Sequence, residues 1–180
     1  RMLDAHYRMH CIQRLFHYFQ PLEQHIDIEQ RISRCIRQGY LNRNPLSREY
    51  ARILADGYEA LADRKGYQSI QGFRPNASGF TIIGMSGVGK STAVEKILSL
   101  YPQCIEHSCY CGHPLMVTQL VRLKLDCPHD GSIKGLCFQF FDAVDRAAGT
   151  DYFPRYTKAR YTVDVLMVLM TQLVNLYQIG

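Results

Sequence analysis

The run Gly84-Met-Ser-Gly-Val-Gly-Lys-Ser91 constrains this chain of 180 residues more than any other feature. It matches the phosphate-binding pattern G-x-x-x-x-G-K-[ST] in full. Residues 80–83 form a short apolar run that predicts a buried strand, and residues 91–100 predict a helix that closes at Pro102. A strand, a glycine-rich loop and a helix in this order are the setting in which the pattern holds a nucleotide.

The residue types of this loop fit a phosphate site. Three glycines at positions 84, 87 and 89 allow a tight turn that brings backbone N–H groups onto phosphate oxygens. The lysine is expected to reach the β- and γ-phosphates, and the serine to present its hydroxyl to Mg²⁺. With ATP and Mg²⁺ as cofactors, the predicted site is Gly84, Met85, Ser86, Gly87, Val88, Gly89, Lys90, Ser91 (also the Mg²⁺ ligand) and Thr92.

Strand and helix patterns alternate after the loop. Val121, Leu123 and Leu125 alternate with charged residues, which predicts a strand. Ser132 is a candidate N-cap of a helix that ends at Gly149, and a last helix is expected over residues 160–178. Alternating strands and helices favour an α/β fold with a parallel sheet.

The front of the chain predicts a separate helical segment. Helices are expected over residues 2–20, 27–39 and 47–66, with Asp27 and Ser47 as N-caps. Residues 67–79 are rich in Gly, Ser, Pro and Asn and indicate a linker. The predicted organisation is therefore a helical segment over 1–66, a linker over 67–79 and a core domain over 80–180.

Positive charge is concentrated in the front segment. The chain has a net charge of +5, and residues 1–74 hold 12 Lys and Arg against 8 Asp and Glu. Arg31, Arg34 and Arg37 recur on one side of the second predicted helix. They fit either a surface for a macromolecular partner or a solvated face.

Residues 40–45 lie between two predicted helices and have an unusual composition. They supply an aromatic ring, a guanidinium and an amide beside a proline. One interpretation is that this segment holds the nucleotide base, and the other is a plain turn between helices. The candidate base-side residues are Tyr40, Arg43, Asn44 and Pro45.

Hydrolysis of a nucleotide also needs an acidic residue on Mg²⁺. Asp126 is the candidate, because it alone closes an apolar-leaning strand; the alternative is that it caps the turn over residues 128–132. Cysteines and histidines between positions 104 and 129 suggest zinc, but no second paired knuckle follows at finger spacing. A hairpin with half-buried thiols is therefore the preferred interpretation.

Composition limits the setting in which the protein works. No apolar run reaches the length of a membrane helix, and the first 19 residues lack the apolar block of a signal peptide. Seven cysteines, an odd number, favour reduced thiols in a cytoplasm. The first residue is Arg rather than Met, which suggests a piece of a longer protein.

Three stretches together resemble the TnsC-type AAA+ ATPases that regulate bacterial DNA transposition, which are related to the TniB proteins. They are residues 36–46 (IRQGYLNRNPL), residues 84–92, and residues 123–137 (LKLDCPHDGSIKGLC), which lead into Phe140, Phe141 and Gly149-Thr150. The resemblance spans about residues 20–175. The phosphate loop is shared by many ATPases, whereas the other two stretches are more specific.

The resemblance implies a P-loop NTPase (AAA+) fold with a three-layer parallel-sheet core, incomplete at its C-terminal end. It places the Mg²⁺ acid after the helix that ends near Tyr177, so this chain would bind ATP but hydrolyse it poorly, and Asp126 becomes a weaker candidate. It implies an ATPase of the bacterial cytoplasm that couples a target-selector protein to the transposase. The implied partners are ATP or ADP, double-stranded DNA, the selector, transposase subunits and copies of the same chain in a ring or filament.

Two other functions stay open at this point. One is a small-molecule kinase on the same loop, with Arg155 and Arg160 over the nucleotide. The other is a nucleotide-gated scaffold that never turns over ATP.

Overall fold

A computed structural model describes residues 4–41, 43–63, 78–158 and 160–179. The predicted linker over 67–79 falls outside this description up to residue 77. A 3₁₀-helix at Ile12–His17 follows the first α-helix. Within these ranges the elements are α1 (Ala5–Cys11), α2 (Glu23–Gly39), α3 (Arg48–Asp63), α4 (Lys90–Leu98), β1 (Cys104–Tyr110), β2 (His113–Leu120), α5 (Ile133–Ala148), α6 (Tyr152–Lys158) and α7 (Val163–Leu176).

Helices form in all three predicted ranges of the front segment, but the first range, residues 2–20, holds α1 and the 3₁₀-helix instead of one helix, and the second helix starts earlier than predicted. Helix α2 ends at Gly39 as predicted but begins at Glu23, so Asp27 lies inside it and is not its N-cap. Its first turn is held by His25, whose Nδ1 accepts a hydrogen bond from the Leu22 N–H at 3.1 Å. At α3 the predicted cap is confirmed, because the Ser47 hydroxyl oxygen accepts from the Tyr50 N–H at 3.2 Å.

The hydrophobic core lies between α5, α6 and α7. Helix α5 has the predicted caps: Ser132 Oγ accepts from the Gly135 N–H at 3.0 Å, and Gly149 closes the helix at φ 69°. Each large side chain buried here contributes about 1.5–3 kcal/mol. The most deeply buried members are Leu120, Cys137, Phe141, Val144, Leu166 and Leu173.

Helix α6 has only seven residues and was not predicted. Its start is fixed by the carboxylate of Asp145, which accepts from the N–H groups of Tyr152 and Phe153 at 2.8 and 2.7 Å. Because the capping side chain comes from the preceding helix, no local sequence pattern marks this helix start.

The predicted three-layer parallel sheet is wrong for the residues that the structure describes. Their only sheet is a two-stranded antiparallel hairpin, β1–β2, that pairs Cys104 with Leu120 and Tyr110 with His113. Its register shifts between His107 and Cys109. The protein is therefore a small, mostly helical α/β fold and not a P-loop NTPase core.

Neither of the two predicted strands, over residues 80–83 and 121–126, forms. Residues 78–85 have no regular secondary structure, and the Ile83 side chain is 91% exposed where a core strand would bury it. Residues 121–126 also form no strand, although Leu123 and Leu125 pack on the α5–α7 core. An apolar run or an alternating pattern shows where side chains point, but it supplies no neighbouring strand for the backbone hydrogen bonds.

The front segment packs on the C-terminal helix. Helix α3 lies against α7, and the Arg43 guanidinium donates to the Ile179 carbonyl oxygen at 2.6 Å. Helix α2 contacts α4, and the Tyr101 hydroxyl donates to Glu29 Oε1 at 2.7 Å. Among the described residues, no helix combines the length and the apolar character needed to cross a membrane.

Candidate nucleotide-binding site

The predicted phosphate loop is an exposed turn that leads directly into α4. Gly87 and Gly89 have φ values of +82° and +85°, a region that glycine adopts without steric cost. Helix α4 begins at Lys90, and the Ala93 N–H donates to the Gly89 carbonyl oxygen at 2.8 Å. No side chain caps this helix, so the N–H groups of its first turn are available to donate to an anion bound at the loop.

Lys90 lies across its own loop. Its Nζ donates to the carbonyl oxygens of Gly84 and Met85 at 2.8 and 2.7 Å. The ammonium group is therefore held at the loop by two neutral acceptors. A phosphate oxygen would be a stronger, charge-assisted acceptor for the same group.

The hydroxyl groups of Ser91 and Thr92 are exposed in the first turn of α4. Oxygen ligands suit Mg²⁺, which commonly combines one or two protein oxygens with phosphate oxygens and water. The loop glycines, the helix start, the lysine and the serine hydroxyl are thus together in one place. This arrangement fits a Mg²⁺-bound nucleotide at the level of residue types and local backbone.

Asp126, the candidate acid, lies in the segment beside α4. Lys124 Nζ forms an ion pair with Glu95 Oε1 at 2.5 Å, and Glu95 is the main cause of the raised pKa of Lys124. The charge of Asp126 adds to this effect. The Asp126 carboxylate is exposed and interacts electrostatically with this lysine. The described residues contain no group of three or more His, Cys, Asp or Glu that could hold a metal ion.

The candidate base-side residues lie beside the hairpin. Tyr40, Arg43, Asn44 and Pro45 line a cleft of about 460 Å³ whose other wall is β1–β2. Residues 84–92 do not line this cleft. The structure therefore brings the 40–45 segment together with the hairpin, and its role at a nucleotide base stays a prediction.

Tyr110 and Gln119 of the hairpin line this cleft and were not singled out from the sequence. His107, one of the histidines considered for zinc, lies beside them, with its Nε2 atom 2.6 Å from Gln119 Oε1. Gly112, with φ +80°, is the sequence signal for the turn, because tight hairpin turns favour glycine at positive φ. The hairpin predicted for the cysteine-rich region is confirmed, but of its thiols only Cys104 is half-buried, whereas Cys109, Cys111 and Cys127 are exposed.

The three arginines of α2 do not share one environment. Arg31 Nε pairs with Asp27 Oδ2 at 2.8 Å, and Arg34 Nε donates to the Gln30 carbonyl oxygen at 3.4 Å. Arg37 lines the cleft. All three side chains are exposed, so the helix presents a basic face that continues into the cleft.

Comparison of the chain with protein-family models gives no match, and comparison with curated protein sequences gives none either. The resemblance to the TnsC-type ATPases therefore rests on the three sequence stretches alone.

Proposed function

We propose that this protein binds ATP with Mg²⁺ through residues 84–92. The observation that carries the proposal is the loop itself: two positive-φ glycines, an uncapped helix start and the lysine ammonium lie within one exposed turn. The proposal concerns this local site and does not depend on a parallel sheet. Successive N–H groups and the helix dipole favour a phosphate chain at this position.

Each residue of the loop has a distinct role in this proposal. Gly87 and Gly89 shape the turn, and their lack of a Cβ leaves room for the phosphates. Lys90 leaves the carbonyl oxygens of Gly84 and Met85 and donates to the terminal phosphates. Ser91 supplies one oxygen to Mg²⁺.

The wider role that we propose is an ATP-dependent regulator of DNA transposition in the bacterial cytoplasm. Its support is the sequence resemblance, together with the basic face of α2 and the exposed apolar side chains of the first helices. Tyr7, Met9 and Ile12 are 62%, 73% and 60% exposed, which suits a segment that contacts protein partners. In this role, copies of the chain assemble on duplex DNA and link a target-selector protein to the transposase.

Duplex DNA binding with different nucleotides tests this role. Fluorescence anisotropy of a labelled duplex should show cooperative binding with ATP and Mg²⁺ and much weaker binding with AMP. Calorimetry under the same conditions should give ATP binding that weakens when Mg²⁺ is removed. ATP binding without any nucleotide effect on DNA would support the local site and contradict the transposition role. The absence of ATP binding by a folded sample would contradict both.

A further inference from the structure

The cleft between residues 40–45 and the β1–β2 hairpin has the size of a ligand site. Its volume of about 460 Å³ lies within the range of about 300–1,000 Å³ that small-molecule pockets occupy. Its walls come from three distant parts of the chain, since Gln178, after α7, closes one side. The Arg43 bond to Ile179 joins two of these parts.

The cleft is positively charged. Its described lining includes Arg37 and Arg43 and contains no Asp or Glu. Arg43 is only 9% exposed, and the loss of water around it lowers its pKa. A guanidinium that has lost water gains most from an anion that approaches it, because the interaction is weakly screened there.

The remaining lining combines aromatic rings with neutral polar groups. Tyr40 and Tyr110 bring aromatic side chains to the wall, with the Arg43 guanidinium carbon 6.0 Å from the centroid of the Tyr40 ring, and the amides of Asn44 and Gln119 offer donors and acceptors. Burial raises the pKa of Tyr40, so its phenol is neutral at physiological pH and adds no negative charge. A flat ring can pack against these aromatic side chains while an acidic group meets the guanidinium groups.

We propose that this cleft binds a small aromatic molecule that carries a phosphate or carboxylate group, at a site separate from the loop over residues 84–92. The concave shape and the deep position of Arg43 favour a small molecule over a DNA backbone. A duplex presents its phosphates on a convex surface and contacts cations that project into solvent. Guanidinium groups match both acidic groups, because their forked donors pair with two oxygens at once.

Calorimetry with phenyl phosphate and benzoate tests the proposal, with phenol as the neutral control of the same ring size. At least one of the two anions should bind, and phenol should bind at least about tenfold more weakly, because it lacks the charge-assisted bonds. Equal binding of phenol and the anions, or no binding of either anion, would overturn the proposal.

Four variants locate the bound anion. Arg37→Gln should weaken binding about tenfold without unfolding the protein, since Arg37 is exposed. Arg34→Gln, on the same helix but outside the cleft, is the matched control and should bind normally. Lys90→Ala should also bind the anion with unchanged affinity. A loss of anion binding in this variant would place the anion in the phosphate loop and overturn the proposal. Arg43→Lys should bind the anion more weakly. If this variant does not fold, the result for Arg37→Gln tests the proposal.

A competition with duplex DNA completes the test. Phenyl phosphate should bind equally well with and without a duplex, since the cleft is not a DNA contact. If Arg37→Gln weakens only DNA binding and leaves phenyl phosphate binding intact, the basic cleft serves nucleic acid and the proposal fails.

Discussion

The phenol of Tyr50 in α3 donates a hydrogen bond to the carbonyl oxygen of Asn175 in α7 at 3.2 Å. Tyr50 is 1% exposed, so this contact lies inside the interface between the front segment and the C-terminal helix. The nearby bond from Arg43 to Ile179 crosses the same interface. The Tyr50 phenol can donate this bond only while it is protonated.

Stability should fall at high pH because of Tyr50. Burial raises the pKa of Tyr50 to about 12, while the pKa of a tyrosine in the unfolded chain is about 10. The contribution of the neutral phenol is therefore complete below about pH 10 and is lost as the pH rises to about 12. Urea unfolding at a series of pH values should show this decline in the free energy of unfolding.

Tyr50→Phe tests whether Tyr50 causes this fall in the free energy of unfolding. It removes the titrating group, so the loss of stability above pH 10 should become smaller. Burial also raises the pKa of Tyr177, and this residue should account for part of the remaining loss. At pH 7 the variant should cost about 1 kcal/mol for the lost hydrogen bond. Identical pH profiles for the variant and the wild type would show that Tyr50 does not titrate in this range.

Lys90→Ala should weaken ATP binding about ten- to a hundred-fold. The change removes a charge-assisted contact to the phosphates, worth about 1.5–3 kcal/mol, and leaves the glycine turn in place. Lys96→Ala is the matched control, because Lys96 is exposed on the same helix, two turns from the loop. Calorimetry that gives equal ATP affinity for Lys90→Ala and wild type would remove the nucleotide assignment.

Gly89→Ala should test whether the loop needs its left-handed backbone. Gly89 has φ +85°, and alanine in that region costs about 1–2 kcal/mol, although no atom would touch the added Cβ. Gly79→Ala is a matched control, since it also has open space and lies outside the left-handed region. Thermal unfolding should show a lower melting temperature for Gly89→Ala only, and this variant should also bind ATP more weakly. Equal stability and ATP affinity in both variants would mean that the loop does not need this turn.

The elements predicted best are those whose signals are local. Ser47, Ser132 and Gly149 mark helix ends because each makes its bond within a few residues of its own position. The glycine pattern of the phosphate loop is local in the same sense. Such features need no knowledge of the rest of the fold.

The sheet was mispredicted because strand pairing is not local. Ile83 and Val121 lie in segments with the right apolar character, but the positions of their backbone partners are set by tertiary packing. The cleft could not be predicted for the same reason. Arg43, His107 and Gln178 meet only after α3 has packed on α7 and the hairpin has formed.

Asp126→Asn should leave ATP binding and any ATP turnover unchanged. The Asp126 carboxylate is exposed beside Lys124, whose ammonium already pairs with Glu95. The substitution removes the charge of an exposed side chain, and screening by solvent makes the effect on stability small. Phosphate release should be measured for both proteins at saturating Mg²⁺ and ATP. A large loss of turnover in the variant alone would identify Asp126 as the Mg²⁺ acid after all.

The double variant Arg31→Ala with Arg34→Ala should separate a partner surface from a solvated face. Both side chains are exposed, and the Arg31 pair with Asp27 is exposed too, so the variant should unfold at nearly the same temperature as the wild type. We expect binding of the target-selector protein to fail while DNA affinity holds at two salt concentrations. Arg52→Ala is the control, since Arg52 is also exposed beside an acidic residue four positions away. If the arginines contacted DNA instead, each loss would reduce the log–log salt slope by about one. If selector binding and DNA binding both match wild type, this part of α2 is only a solvated surface.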